Sequence, residues 1–147
     1  MNTTDKSKEL NTSIVLVNQK LNFTGKTDGS ETLSIDYTAP LGDGLGFTSL
    51  ELLLLSLSSC VGSTVLVFLR RKERTITGFG INAKGIRREE HPTCFSKIFL
   101  EINLQSPDIK EADLDKVIKL SEQTYCPVWA MLMGNVEVEV LYNITGV

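Results

Sequence analysis

At 147 residues, with 41% hydrophobic and 22% charged side chains, the chain has the size and composition of one soluble globular domain. A formal net charge of −3 without a lysine–arginine tract argues against nucleic acid as a partner. Three widely spaced cysteines and a single histidine, His91, offer too little for a disulfide scaffold, a zinc site or a Cys–His pair, so no metal and no cofactor is expected.

Residues 1–12 are polar, lack the apolar stretch of a signal peptide, and read as a loose tail before one domain over residues 13–147. Ile14 to Phe23 is apolar and β-branched, a turn is expected at GKTDG (25–29), and Leu33, Ile35 and Tyr37 alternate with polar neighbours. Residues 14–38 therefore predict a β-hairpin. The glycine-rich APLGDGLG at 39–46 lacks the spacing of a nucleotide fingerprint. Thr48 and Glu51 then form the pattern of a capping box, and a helix is predicted to run to about Lys72. Its segment from Leu52 to Leu69 carries no charge over 18 residues, at the lower edge of a membrane span. Serines, Thr64 and Gly62 interrupt it and no second such segment follows, so a core helix is expected and no membrane. The basic run Arg70-Arg71-Lys72 with Arg74 suits the negative end of that helix's dipole.

Two strands are predicted over 76–88 and 96–105, the second with Ile98, Leu100, Ile102 and Leu104 on one side and Lys97, Glu101 and Asn103 on the other. A second helix is expected from Asp108 to Tyr125, with Leu114, Val117, Ile118 and Ser121 on one face. Pro127 restarts a short helix that Gly134 closes, and Val136, Val138, Val140 and Tyr142 alternate as a last strand. The order β-β-α-β-β-α-β is an α+β layout rather than a series of βαβ units.

Two cysteines lie where chemistry is conceivable. Cys60 sits midway along the apolar helix with Ser56 and Thr64 four residues to either side; small residues such as Ser58, Ser59, Gly62 and Ser63 would let a second helix approach closely. A buried thiol is otherwise an inert packing residue, and Cys60 alone does not decide between these. Cys126 precedes Pro127 at a helix start, where the dipole would lower its thiol pKa. Cys94, near His91-Pro92, reads as incidental. Composition and spacing suggest a redox pair and go no further.

Two ordered motifs carry a resemblance. TSLELLLLSLSSCVGSTVLVFLRRK at 48–72 is similar to the central cysteine helix of the OsmC/Ohr family (osmotically inducible protein C and organic hydroperoxide resistance proteins). CPVWAML at 126–132 resembles that family's second cysteine motif, and HPTCFSKIFLEINL at 91–104 its intervening strand. The resemblance covers roughly residues 14–144 and implies an OsmC-like α+β fold: an antiparallel sheet with a long central cysteine-bearing helix, in an intertwined homodimer. It also implies a cytoplasmic, peroxiredoxin-like hydroperoxide reductase of oxidative stress, with Cys60 peroxidatic and Cys126 resolving. Its partners would be a small-molecule hydroperoxide and an external dithiol reductant.

The departures from the family pattern bear on activation. Where the organic-hydroperoxide branch has an activating arginine, this chain has Thr27, with Lys26 beside it as a supporting cation. Leu50 stands where that branch has a helix glutamate; Glu51, one position on, matches a less characterised OsmC-like branch and reads either as a supporting site residue or as a cap. The alternative function is a small-molecule binding or redox-sensing module with weak or no peroxidase turnover.

Overall fold

A computed structural model describes residues 5–146. Of the tail expected over 1–12, residues 1–4 lie outside the described residues. Lys8 and Glu9 amides close a turn on the Asp5 carbonyl, and the first strand starts at Thr12. The chain divides into two compact units, the first ending at Leu53 and the second beginning at Leu54.

The N-terminal unit holds a three-stranded antiparallel sheet in the order β1 (Thr12–Leu16), β2 (Phe23–Thr27), β3 (Leu33–Ile35). A single hairpin with its turn at 25–29 was the expectation, and the structure corrects it. Gly25, Lys26 and Thr27 are inside β2, and an additional turn lies at 18–22. The cause is Asn18, whose side-chain oxygen accepts the Lys20 amide at 2.9 Å and the Asn22 amide at 3.2 Å. An asparagine carbonyl that mimics a backbone turn in this way reverses the chain as well as Asp-Gly does.

After β3 the glycine-rich loop wraps around the fully buried Asp36 carboxylate, which accepts the backbone amides of Tyr37, Asp43 and Leu45. Burial alone would raise this carboxyl's pKa. The three amides and the Asn22 side chain together outweigh it, so the group is held below its ordinary value. Gly42 is required there: a Cβ would lie 2.1 Å from the Tyr37 carbonyl oxygen and 2.3 Å from Asp36 Oδ1. The amides of this loop are thus turned inward onto a carboxylate, the opposite of a phosphate cradle.

Helix α1 (Ser49–Arg71) starts as expected. The Thr48 amide donates to Glu51 Oε2 at 2.7 Å, and the Glu51 amide donates to Thr48 Oγ1 at 3.3 Å. That reciprocal pair satisfies two otherwise orphaned amides.

The C-terminal unit is built on a second sheet in the order β4 (Gly78–Arg87), β5 (Phe95–Gln105), β6 (Glu137–Thr145). On β5, Ile98, Leu100, Ile102 and Leu104 are fully or almost fully buried, and each contributes about 1.5–3 kcal/mol by leaving water. With Leu57, Val61, Val65 and Leu69 of α1 and Leu114 and Val117 of α2 (Glu111–Leu120) they form the core. β4 pairs with β5 antiparallel, whereas β6 runs parallel to β5, with Ile98 beside Val138. The α+β fold therefore contains one parallel crossover, β5 through α2 to β6, within otherwise antiparallel sheets.

Two further elements differ from expectation. The second helix begins at Glu111 rather than Asp108, because Asp108 is held outside it by the Thr75 amide and hydroxyl and the Ser106 hydroxyl. After Leu120 the helix widens into a π turn, Ser121–Tyr125, whose last bond runs from the Cys126 amide to the Ser121 carbonyl at 3.0 Å. Glycine 62 also behaves differently. Its open side is filled by β4 of the same chain, since a Cβ there would meet Phe79 Cε1 at 3.1 Å and Ile81 Cδ1 at 3.4 Å. At Gly62 the small side of the helix admits the sheet, while Ser59 and Ser63 stay exposed.

A candidate thiol redox site

Pro127 sets the geometry at Cys126. A residue before proline is driven out of the helical region, and Cys126 is extended at φ −92°, ψ 102°. Pro127 then opens α3 (Pro127–Leu132) as its first residue, where its missing amide costs nothing. Cys126 becomes the cap: its sulfur accepts the Trp129 amide at 3.3 Å, and its carbonyl accepts the Ala130 amide at 3.0 Å. The helix start and the π turn together hold the Cys126 side chain in the interior, 2% exposed.

Cys60 meets it there from α1. The two sulfurs lie 2.6 Å apart, with Cys126 Sγ donating toward Cys60 Sγ, although the residues are 66 positions apart in the chain. Both are free thiols; Cys60 is half-buried. Tyr125, which precedes Cys126 in the chain, sets its ring at 49° to that of Phe68 with the centres 4.8 Å apart, and the Arg71 guanidinium lies 5.3 Å from the Phe68 ring centre. The hydroxyls flanking Cys60 are turned to the helix backbone: Thr64 donates to the Cys60 carbonyl at 3.1 Å and Ser59 to the Ser56 carbonyl at 3.0 Å.

The electrostatics at Cys126 overturn the expected lowering of its pKa. Burial first, and then the adjacent Cys60 sulfur, push the Cys126 thiol up from an ordinary value of 9.0 to about 11. The Trp129 and Val128 amides favour the thiolate but do not offset this. A six-residue helix has little dipole to add, and the sequence showed the helix start without showing the burial. Near neutral pH Cys126 is therefore a protonated thiol and a hydrogen-bond donor.

A family model for OsmC-like protein matches residues 42–141, a span that contains both cysteines. The chain belongs to the OsmC/Ohr family. Among curated proteins it is similar to protein YhfA of Escherichia coli K12, 26% identical over 97 residues that cover 66% of this chain and 72% of that protein. A hypothetical protein from Aquifex aeolicus VF5 has the same fold, with a TM-score of 0.83 and 26% identity over 95% of this chain and 98% of that one. An organic hydroperoxide resistance protein from Elizabethkingia anophelis shares the fold more distantly, with a TM-score of 0.70, 18% identity and coverage of 99% and 100%.

In this OsmC/Ohr chain the remaining sequence candidates fall as follows. Lys26 is an exposed residue of β2 opposite Ser13, and Thr27 donates its hydroxyl to the Asn11 carbonyl at 2.9 Å; both belong to the N-terminal unit. The Glu51 carboxylate is engaged by Thr48, whose amide bond holds its pKa below the ordinary value. That geometry gives it the work of a cap. Cys94 is exposed just before β5. The partner that the sequence reading missed is the Trp129 amide, and it had a signal, since a Cys-Pro helix start presents the third following amide to the cysteine side chain.

Proposed function

We propose that this OsmC/Ohr protein is a thiol-dependent peroxidase that reduces organic hydroperoxides through Cys60 and Cys126. One observation carries the proposal: two free thiols from distant parts of the chain stand 2.6 Å apart, close enough to join with little movement. Cys60 as thiolate cleaves the O–O bond and becomes a sulfenic acid. Cys126 condenses with it to a disulfide, and an external dithiol restores both thiols by exchange. The half-buried position of Cys60 gives a peroxide access, whereas the buried Cys126 is suited to attack only a neighbour. Apolar side chains of α1 around Cys60 favour an alkyl or aryl hydroperoxide over hydrogen peroxide. The cycle needs a reducing compartment, which supports a cytoplasmic location. We include a homodimer in the proposal, because much of α1 is left uncovered by its own chain.

Single-turnover oxidation of wild type, Cys60→Ser and Cys126→Ser, with cumene hydroperoxide and hydrogen peroxide in parallel, tests this. Cys60→Ser is expected to abolish the reaction; Cys126→Ser is expected to permit one oxidation, then over-oxidise and fail in multiple turnover. Wild type reacting no faster than a small free thiol of similar pKa would replace the peroxidase with the binding or sensing module. The lack of an arginine at Thr27 is what favours that second reading.

A further inference from the structure

We propose that Cys126 is also the general acid of the first oxidation, donating its thiol proton to the oxygen that leaves when Cys60 attacks a hydroperoxide. The inference rests on the peroxidase reading above and concerns a step that precedes disulfide formation.

Breaking the O–O bond of an alkyl hydroperoxide expels an alkoxide, a strong base that needs a proton as it forms. The site offers few sources. Thr64 and Ser59 donate to backbone carbonyls. The Cys126 thiol is different: its sulfur lies 2.6 Å from the Cys60 sulfur, in a position 2% exposed to solvent. Peroxide oxygens approach to about 3–3.5 Å of the attacking sulfur, which is also the neighbourhood of that proton. Burial keeps the proton in place until it is needed, since the thiol's pKa is pushed to about 11, still below that of a tertiary alcohol. Once the proton has gone, the Trp129 and Val128 amides favour the thiolate left behind.

The balance is complete without a further reactant. The Cys60 thiolate takes the distal OH of ROOH and becomes a sulfenic acid; the O–O electron pair leaves on RO⁻, which takes the proton of Cys126 and departs as ROH. The Cys126 thiolate then attacks the Cys60 sulfur, the S–S bond forms, and hydroxide leaves. Two thiol sulfurs are oxidised by two electrons and one peroxide is reduced by two. The same proton transfer that assists the leaving group creates the resolving nucleophile, so Cys126 is inert toward Cys60 until oxidation has occurred.

The test compares oxidants whose leaving groups differ in their need for a proton. In a Cys94→Ser background, stopped-flow rates of Cys60 oxidation are measured for Cys126, Cys126→Ser and Cys126→Ala with cumene hydroperoxide and with peracetic acid, whose acetate leaves unaided. Rates are normalised by iodoacetamide reactivity of Cys60, which corrects for any change in its thiolate content. Cys126→Ala is expected to slow the hydroperoxide reaction by about a hundredfold relative to the peracid reaction, with Cys126→Ser between. The protein with Cys126 intact gives a second reading that needs no variant at position 126: slowing in heavy water with the hydroperoxide and not with the peracid. Equal slowing of both oxidants by Cys126→Ala, or an isotope effect shared by both, overturns the general-acid role while leaving the peroxidase intact. Failure of the intact pair to outpace a free thiol overturns the peroxidase itself.

Discussion

At Cys126 a proline, a short helix and a buried interior act on one sulfur, and burial wins. Because the thiol's pKa is higher in the fold than in the unfolded chain, the native state holds this proton more tightly. The resulting stability is fully present below about pH 9 and is lost as pH rises toward about 11. Urea unfolding near both limits is expected to show that decline in the protein with Cys126 and a flatter profile in Cys126→Ser. Near neutral pH, iodoacetamide should label exposed Cys94 and spare Cys126. Dominant labelling of Cys126 would mean that its thiol is neither buried nor raised. Both cysteines were legible through the two motifs that carry the family resemblance; taken alone, Cys60 in mid-helix also read as a packing residue. The sign of the perturbation at Cys126 was not legible, because a helix start is written locally whereas burial is contributed by Cys60 and other distant residues.

The elements show the same division. The Thr48–Glu51 box marks the start of α1 and is wholly local, so it could be read directly. The alternation of β5 was also legible, down to which side chains face the core. Its first residue was not: Ser96 is an extra residue in the pairing between Ile86–Lys97 and Arg87–Phe95, and it places Phe95 on the core side with Ile98. Strand direction was likewise invisible, because Val136 to Tyr142 alternates identically whether β6 runs with β5 or against it. The assigned faces can be checked with a matched pair. Leu100→Ala, at a fully buried position, is expected to cost about 2–5 kcal/mol, while Leu141→Ala, half exposed on the outer face, should stay within about 0.5 kcal/mol by the same denaturation measurement. Similar costs at the two sites would reverse the faces of the sheet.

For the molecule as a whole the uncovered part of α1 is decisive. An 18-residue window of this helix has a mean hydropathy of 2.2, enough in length and composition to cross a membrane, yet only 28% of that window is buried. The buried stripe is Leu57, Val61, Val65 and Leu69; Leu55 and Val67 remain largely exposed. A helix apolar on every face was read from the sequence as one that needs a second copy to complete its cover, and the buried positions of the single chain form one stripe. A second copy is the cover we propose, reaching α1 at exposed positions such as Leu55 and Val67. Leu55→Glu is therefore expected to leave monomer or aggregate, whereas wild type sediments as a dimer whose melting temperature rises with protein concentration. A wild-type monomer at micromolar concentration by light scattering would sink this prediction.

The parallel placement of β6 has a temporal meaning. The β4–β5 ladder joins neighbours in sequence and can close early, but β6 reaches β5 only after α2, the π turn and α3 have carried the chain back across the sheet. Pairings of such long sequence separation pay their loop-closure entropy before any contact repays it. Cys126 lies within that returning segment and Cys60 ahead of the first strand of the ladder, so their meeting is expected among the later events of folding. A nascent chain is expected to pass through its earlier stages with the two sulfurs apart, and formation of their disulfide would report that α1 and the returning segment have met.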